Sequence, residues 1–154
     1  TPQNKPRVGT AVVVIVIKDN KVLLGRRTSS TGKGTWGLTG GKQEFGETWE
    51  QCAMRETKEE AGWDFVPEYI VGCYYWQKNS ESSTYLRVCY AGKLTKHYPD
   101  LALDTGILNT LWLSLYELQA RNHELRTPLV VRCAADYASG KRFPLDMILD
   151  LGDT

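Results

Sequence analysis

Residues 10–17 read TAVVVIVI, apolar and mostly β-branched after Thr10 with none of the alternation a half-buried strand would show. That run predicts a strand covered on both faces. KDN then breaks it, and residues 21–27 (KVLLGRR) predict the return strand of a hairpin. SSTGKG reads as a loop. Residues 35–38 form a short strand running into Thr39-Gly40-Gly41, where paired glycines allow backbone paths closed to other residues. KQEFGE is a second loop. Thr48-x-x-Gln51 matches a capping box, so a helix is expected from about Trp49 to a stop at Gly62. Further strands are expected at 69–77 and 84–94, a polar loop over 95–104 and a short strand in LNTLWLS. Residues 115–121 and 128–139 read as helices, followed by the apolar segment FPLDMI. Strands dominate the first half and helices flank them, which predicts an α/β (α+β) class: a layered α/β/α domain on a mixed sheet. TPQNKP, with Pro2 and Pro6 bracketing polar residues, predicts an N-terminal arm over 1–7 and one domain over 8–154.

Composition narrows the partners. Nineteen Lys and Arg face 18 Asp and Glu, a net charge of +1, so no global field favours long nucleic acid or an anionic membrane. An anionic ligand must be met locally. The longest apolar run is far short of the ~20 residues that span a bilayer, and no cleavable signal is recognisable, so a soluble, cytoplasmic protein is expected. Cys52, Cys73, Cys89 and Cys133 are scattered without C-x-x-C spacing, three of them in apolar surroundings, which predicts free thiols.

The chemistry concentrates in RETKEEAG, residues 55–62. On a helix, Glu56, Glu59 and Glu60 crowd together, and like charges three or four apart each cost roughly 0.2 to 0.5 kcal/mol. A helical wheel turns Trp49, Ala53, Thr57 and Ala61 inward and carries Glu56 and Glu60 with them, while Gln51, Arg55 and Lys58 fall on the opposite side. A solvated charge run would do the reverse. Inward carboxylates need partners, because an isolated buried charge is prohibitively costly. Hard oxygen ligands at i and i+4 can converge on magnesium or manganese, with Glu59 beside them for a second ion or a water. The competing reading is a structural network of carboxylates and Arg. Gly40-Gly41 lies close enough to offer a bare carbonyl, Glu47 precedes the N-cap and can bend back, and Arg55 can fork onto a carboxylate.

Gly41, Glu47, Arg55, Glu56, Glu59, Glu60 and Gly62 stand at the spacing G-x5-E-x7-R-E-U-x-E-E-x-G-U, and this segment resembles the Nudix box. LLGRR and the GTW-x-L-x-GG approach also resemble the MutT-type branch. Thr57 and Trp63 stand where the family has aliphatic residues, and Thr39 where most members have Pro; every acidic position is kept. The resemblance implies an α/β/α Nudix fold and magnesium-dependent cleavage of a diphosphate bond in a nucleoside diphosphate linked to another moiety. It implies Glu56, Glu59 and Glu60 as metal ligands, joined by the Gly40 carbonyl, with Glu47 and Arg55 in support. Magnesium on phosphate oxygens neutralises developing charge and activates a water, whose proton a carboxylate accepts. Glu59 is the first choice for that base; Asp104 or Asp100, in the loop before LNTLW, is the alternative.

Substrate contacts are sought among Arg26, Arg27 and Lys33 for phosphates, although a solvated strand end and loop would look the same. Trp36, Tyr74, Tyr75, Trp76 and Tyr85 are candidates for a stacking wall, with Trp36 preferred. The C-terminal stretch LRTPLVVRCAADYASGKRFPLDMI resembles the corresponding region of bacterial Nudix phosphatases that act on thiamin pyrimidine diphosphate and nucleoside di- and triphosphates. The expected activity is therefore magnesium- or manganese-dependent hydrolysis of a small nucleotide, foremost a nucleoside or deoxynucleoside triphosphate. Alternatives are that thiamin-precursor phosphatase, a nucleotide-sugar or dinucleotide hydrolase, and a non-catalytic nucleotide-binding module. The arm and aromatic strands leave room for a homodimer.

Overall fold

The computed structural model describes residues 7–27, 34–76 and 83–152. Seven strands form one sheet: β1 (Arg7–Ile15), β2 (Ile17–Lys18), β3 (Lys21–Arg27), β4 (Trp36–Lys42), β5 (Trp63–Trp76), β6 (Ser83–His97) and β7 (Ile107–Leu113). The helices are α1 (Trp49–Ala61), α2 (Leu115–Ala120) and α3 (Leu129–Ala138). Strand order is β2-β3-β4-β1-β6-β5, with β7 on the other side of β3. Only β1 and β6 run parallel; the other pairs are antiparallel.

Alternation along the strands sorts apolar side chains into two cores. Val12, Val14, Leu23, Ile70, Val88 and Tyr90 pack with Cys52, Ala53 and Ala61 of α1. Their neighbours Ile15, Val22, Leu24, Val71, Cys89 and Ala91 pack with Leu118 of α2 and Leu129, Val130, Cys133 and Ala134 of α3. Period two carries successive residues to opposite faces, so the continuous run in β1 serves both cores. This is the expected α/β/α layering. Each fully buried Val, Leu or Ile contributes roughly 1.5–3 kcal/mol of transfer free energy.

Several boundaries shift for identifiable reasons. The last residue of the expected arm, Arg7, is already paired with Ser83, so β1 starts there. The hairpin turn is as expected, Asp19 and Asn20 adopting φ of 52° and 61°. β4 does not end at Leu38. Its first half pairs with β3 and residues 39–42 pair with β1, so the glycine pair lies inside a strand. β5 starts at Trp63, ahead of the expected 69, and Pro67 does not interrupt it, sitting at a register shift on the sheet's edge where a missing N–H is tolerated. β6 likewise runs on to His97, taking the first residues of the expected loop. Residues 29–33 of the expected SSTGKG loop and the rest of the arm lie outside the described residues.

All four cysteines are free thiols, with Cys52, Cys89 and Cys133 buried and Cys73 exposed. Beyond α3, Phe143 exchanges two backbone hydrogen bonds of 2.8 Å with Ile70 of β5, and Leu145 and Ile148 pack on the α1-side core. The FPLDMI segment thereby covers part of an open edge.

Candidate active site

Two local devices bring α1 to β4. Thr48 and Gln51 form the expected capping box, Gln51 N donating to Thr48 Oγ1 at 3.0 Å and Thr48 N to Gln51 Oε1 at 2.9 Å. Gly62 ends the helix in the left-handed region at φ 73°. Thr57, which replaces an aliphatic residue, is fully buried, and its hydroxyl donates to Ala53 O at 2.7 Å. The helix thus fixes which face meets the sheet.

Glu56 and Glu60 lie on that face, 7% and 5% exposed, as the wheel requires. Their approach depends on the glycines. A Cβ on Gly41 would stand 2.6 to 2.7 Å from the Glu56 carboxyl, and one on Gly40 would stand 2.2 Å from Val12 O. Glu60 Oε1 accepts from Gly40 N at 3.1 Å and from Arg27 Nη2 at 2.7 Å. The same Nη2 donates to the Gly40 carbonyl at 3.2 Å. Burial, reinforced by the charge of Glu60, pushes the Glu56 carboxyl up to about 7, against the pull of Arg55.

Arg55 corrects one expectation. Its Cα lies on the outer side of α1, but its long side chain reaches back along the helix into the acidic cluster. Nε and Nη2 fork onto Glu47 at 2.6 and 3.1 Å, Nη1 donates to Glu56 at 2.8 Å and Glu59 at 3.1 Å, and Nη2 also meets Lys42 O at 3.2 Å. Hydrogen bonding from Arg55 holds Glu47 below the usual carboxylate range despite partial burial. Hence part of the crowding is balanced by Arg55 and part by Arg27.

The two glutamates open onto a cleft of about 330 Å³, also lined by Arg27, Gly40, Lys42, Tyr85, Arg87, Asp104, Arg126 and Thr127. Its volume is at the small end for ligand sites. Among the expected substrate contacts, Arg27 and Tyr85 are in the wall. Arg26 is not. Adjacent strand residues point to opposite faces, and Arg26 instead lies over the Trp36 ring at 6.0 Å. Trp36, the preferred stacking residue, is 8% exposed within the core of α2 and α3 and does not line the cleft. Tyr74, Tyr75 and Trp76 are also away from it; Tyr74 donates to Asp136 at 2.7 Å beneath α3. Lys33 lies outside the described residues.

Of the candidate bases, Asp104 lines the cleft, and its amide is anchored to Glu59 O at 2.9 Å. The Glu59 side chain is 47% exposed and turned to Arg55 outside the cleft wall. Asp100 is exposed in a turn. Lys42, Arg87, Arg126 and Thr127 were missed. Arg87 had a usable signal, standing two residues from Tyr85 on a strand and so on its face. Lys42 Nζ and Arg87 Cζ lie 5.1 and 5.5 Å from the Tyr85 ring centre, and the ring folds against Gly9, where a Cβ would meet it at 2.6 Å.

Among the described residues no three Asp, Glu, His or Cys side chains form a ready metal cage. What converges is two buried carboxylates and the Gly40 carbonyl, an all-oxygen set suited to a hard cation. Magnesium fits such a partial shell, because it keeps several waters and takes substrate phosphates as ligands. The cradle at Gly41, shaped to admit a carboxylate where a Cβ would stand, supports the same fit.

Comparison with known proteins bears on the family and the fold. A family profile described as NUDIX domain matches residues 6–132. Phosphatase NudJ of Escherichia coli K12 is 35% identical over 147 residues, covering 95% of this chain and 92% of its own; the Shigella flexneri protein of the same name matches equally. A NUDIX hydrolase from Nitrosomonas europaea superposes with a TM-score of 0.87 at 38% identity, over 95% of this chain and 97% of that one. A MutT protein from Methanosarcina mazei Go1, at 24% identity and a TM-score of 0.71 over 90% of this chain and 98% of that one, shares the fold.

Proposed function

The chain belongs to the Nudix hydrolase family, and from that premise we propose that it is a divalent-cation-dependent hydrolase releasing orthophosphate from a small di- or triphosphate. The observation that carries this reading is the pair Glu56 and Glu60, buried and facing one small cleft that Arg27, Lys42, Arg87 and Arg126 also line. The phosphatase name borne by relatives along 95% of the chain supports orthophosphate over pyrophosphate as product. A nucleoside or deoxynucleoside triphosphate remains the foremost substrate class. Among the described residues the cleft wall holds one aromatic side chain, Tyr85, beside four basic ones, a balance that supports recognition through phosphate. That is also compatible with a substrate carrying a single pyrimidine ring and no ribose, such as thiamin pyrimidine diphosphate.

In this reading Glu56, Glu60 and the Gly40 carbonyl hold magnesium or manganese, and Glu59 stands at the rim for a second ion. A bound ion supplies charge neutralisation on phosphate oxygens and a more acidic water. Arg55 orients Glu56 and Glu59 through its hydrogen bonds, and Glu47 locks the fork of Arg55. Arg27, Lys42, Arg87 and Arg126 meet the phosphates, and Tyr85 packs against the remainder of the substrate. Asp104, inside the wall, accepts the proton of the attacking water. The chain from Arg7 onward acts as one domain.

The deciding experiment pairs Glu56→Gln with Glu60→Gln and measures phosphate and pyrophosphate release from several triphosphates with magnesium. The double variant is expected to lose cation-dependent release while keeping its circular dichroism spectrum. Undiminished turnover would sink the assignment, and pyrophosphate as the wild-type product would overturn the phosphatase reading.

A further inference from the structure

Arg27 stands where a bridging cation would stand. One nitrogen, Nη2, donates to Glu60 Oε1 at 2.7 Å and to the Gly40 carbonyl at 3.2 Å. Those are two of the oxygens assigned above to the divalent ion, and the competition between ion and side chain rests on that assignment. An ion at about 2.1 Å from an oxygen leaves no space for a guanidinium nitrogen between the same pair of oxygens. Ion and guanidinium therefore compete for one place.

The surroundings give Arg27 somewhere else to go. Its Nε lies 3.9 Å from where a Cβ on Gly37 would stand, and Arg126 Cδ lies 3.5 Å from that point. Arg27, Gly37 and Arg126 all line the cleft. The bare backbone at Gly37 is a floor across which a guanidinium can turn without leaving the basic wall. The register between β3 and β7 also shifts between Arg26 and Arg27, a local irregularity of the kind that re-aims a side chain. Arg27 thus ends β3 aimed at Glu60 while resting on the floor shared with Arg126.

We infer that Arg27 is an exchange residue. It neutralises Glu60 until a divalent ion arrives, yields that place to the ion, and turns to the substrate's phosphate. The consequence is coupling. An anion that draws Arg27 from Glu60 leaves a buried carboxylate in want of a cation, and an ion that displaces Arg27 releases a guanidinium for the anion. Each ligand removes a cost the other would otherwise bear, and by linkage the two effects are equal. Arg27 is then a positioning residue for the ion as well as a contact for the phosphate.

The test is manganese binding, read from the electron paramagnetic resonance of the free ion, with and without inorganic phosphate. Manganese–phosphate association in buffer is titrated as a blank. In the wild type, phosphate is expected to tighten manganese binding by about fivefold or more, the lower range of ordinary coupling. In Arg27→Leu and Arg27→Gln, manganese is expected to bind tighter than in the wild type without phosphate, and the phosphate effect to shrink toward what direct contact between ion and phosphate gives. The Gln variant carries the test if the Leu variant does not fold by near-ultraviolet circular dichroism. Binding no tighter in the folded variants, or a phosphate effect as large as in the wild type, overturns the exchange. Manganese binding unaffected by Glu56→Gln and Glu60→Gln would instead overturn the ion site itself, and the exchange with it.

Discussion

At position 41 one absent methyl group sets how far Glu56 can enter the cleft. In Gly41→Ala the new Cβ would meet the Glu56 carboxyl at 2.6 Å. That side chain must retreat, at a cost in the range of about 1–3 kcal/mol for overpacking. Weaker manganese binding with a modest loss in denaturant stability is the expected result; unchanged manganese affinity would show that Glu56 does not need this approach. Asp104 makes a separate prediction. If it accepts the proton, Asp104→Asn lowers kcat by about 10²–10⁴ with little change in KM, and Glu59→Gln has the smaller effect on kcat. A reversed order in steady-state kinetics would return the role to Glu59. Glu56 and Glu60 were legible because helical period fixes their direction from sequence alone, whereas the long Arg55 side chain turns back from the outer side of α1 into the cluster. Arg126 was not: a lone basic residue in a loop has no period, and it reaches the cleft only because Leu125 bridges to Trp36 and Arg126 N donates to Trp36 O.

Among the elements, α3 is tied to β5 by Asp136. Its carboxylate accepts from Tyr74 at 2.7 Å and Arg132 at 3.0 Å and pairs with Lys141 at 3.3 Å. Burial works to raise its pKa, yet these three donors together hold it below the ordinary aspartate range. A folded-state pKa lowered in this way contributes stability that is complete above the unfolded value and lost as pH falls through the folded one. Asp136→Asn is therefore expected to cost about 2 kcal/mol at neutral pH, the scale of a hydrogen bond to a charged group. The gap from wild type should narrow in urea titrations below about pH 4. A gap constant down to the acid transition would contradict the linkage. The same elements show where local pattern fails. The Thr48 box and the Gly62 stop named both ends of α1, because caps are written in adjacent residues. Strand ends depend on a distant partner: β5 begins at Trp63 because His97 lies opposite, their rings stacked at 4.4 Å.

Across the whole molecule, the chain beyond α3 has a structural role that lies outside the matched domain profile, which ends at residue 132. Phe143 pairs with the β5 edge, and Leu145 and Ile148 pack on the α1-side core. Deleting residues 141–154 would bare that edge, and open apolar strand edges associate. Increased aggregation and a lower urea midpoint are expected from light scattering and denaturation; a monodisperse deletion of wild-type stability would deny the tail this role. The layered fold followed from strand-rich and helix-rich halves, whereas the joining of the two parts of the sheet through one strand had no local signature. That strand, β4, is hydrogen-bonded to β3 along its first half and to β1 along its second. Its amides should rank among the slowest to exchange with deuterium, released only by opening of the whole molecule. The Gly40 carbonyl and the floor at Gly37 then form a fixed template on the catalytic timescale, and adjustment during turnover falls to side chains.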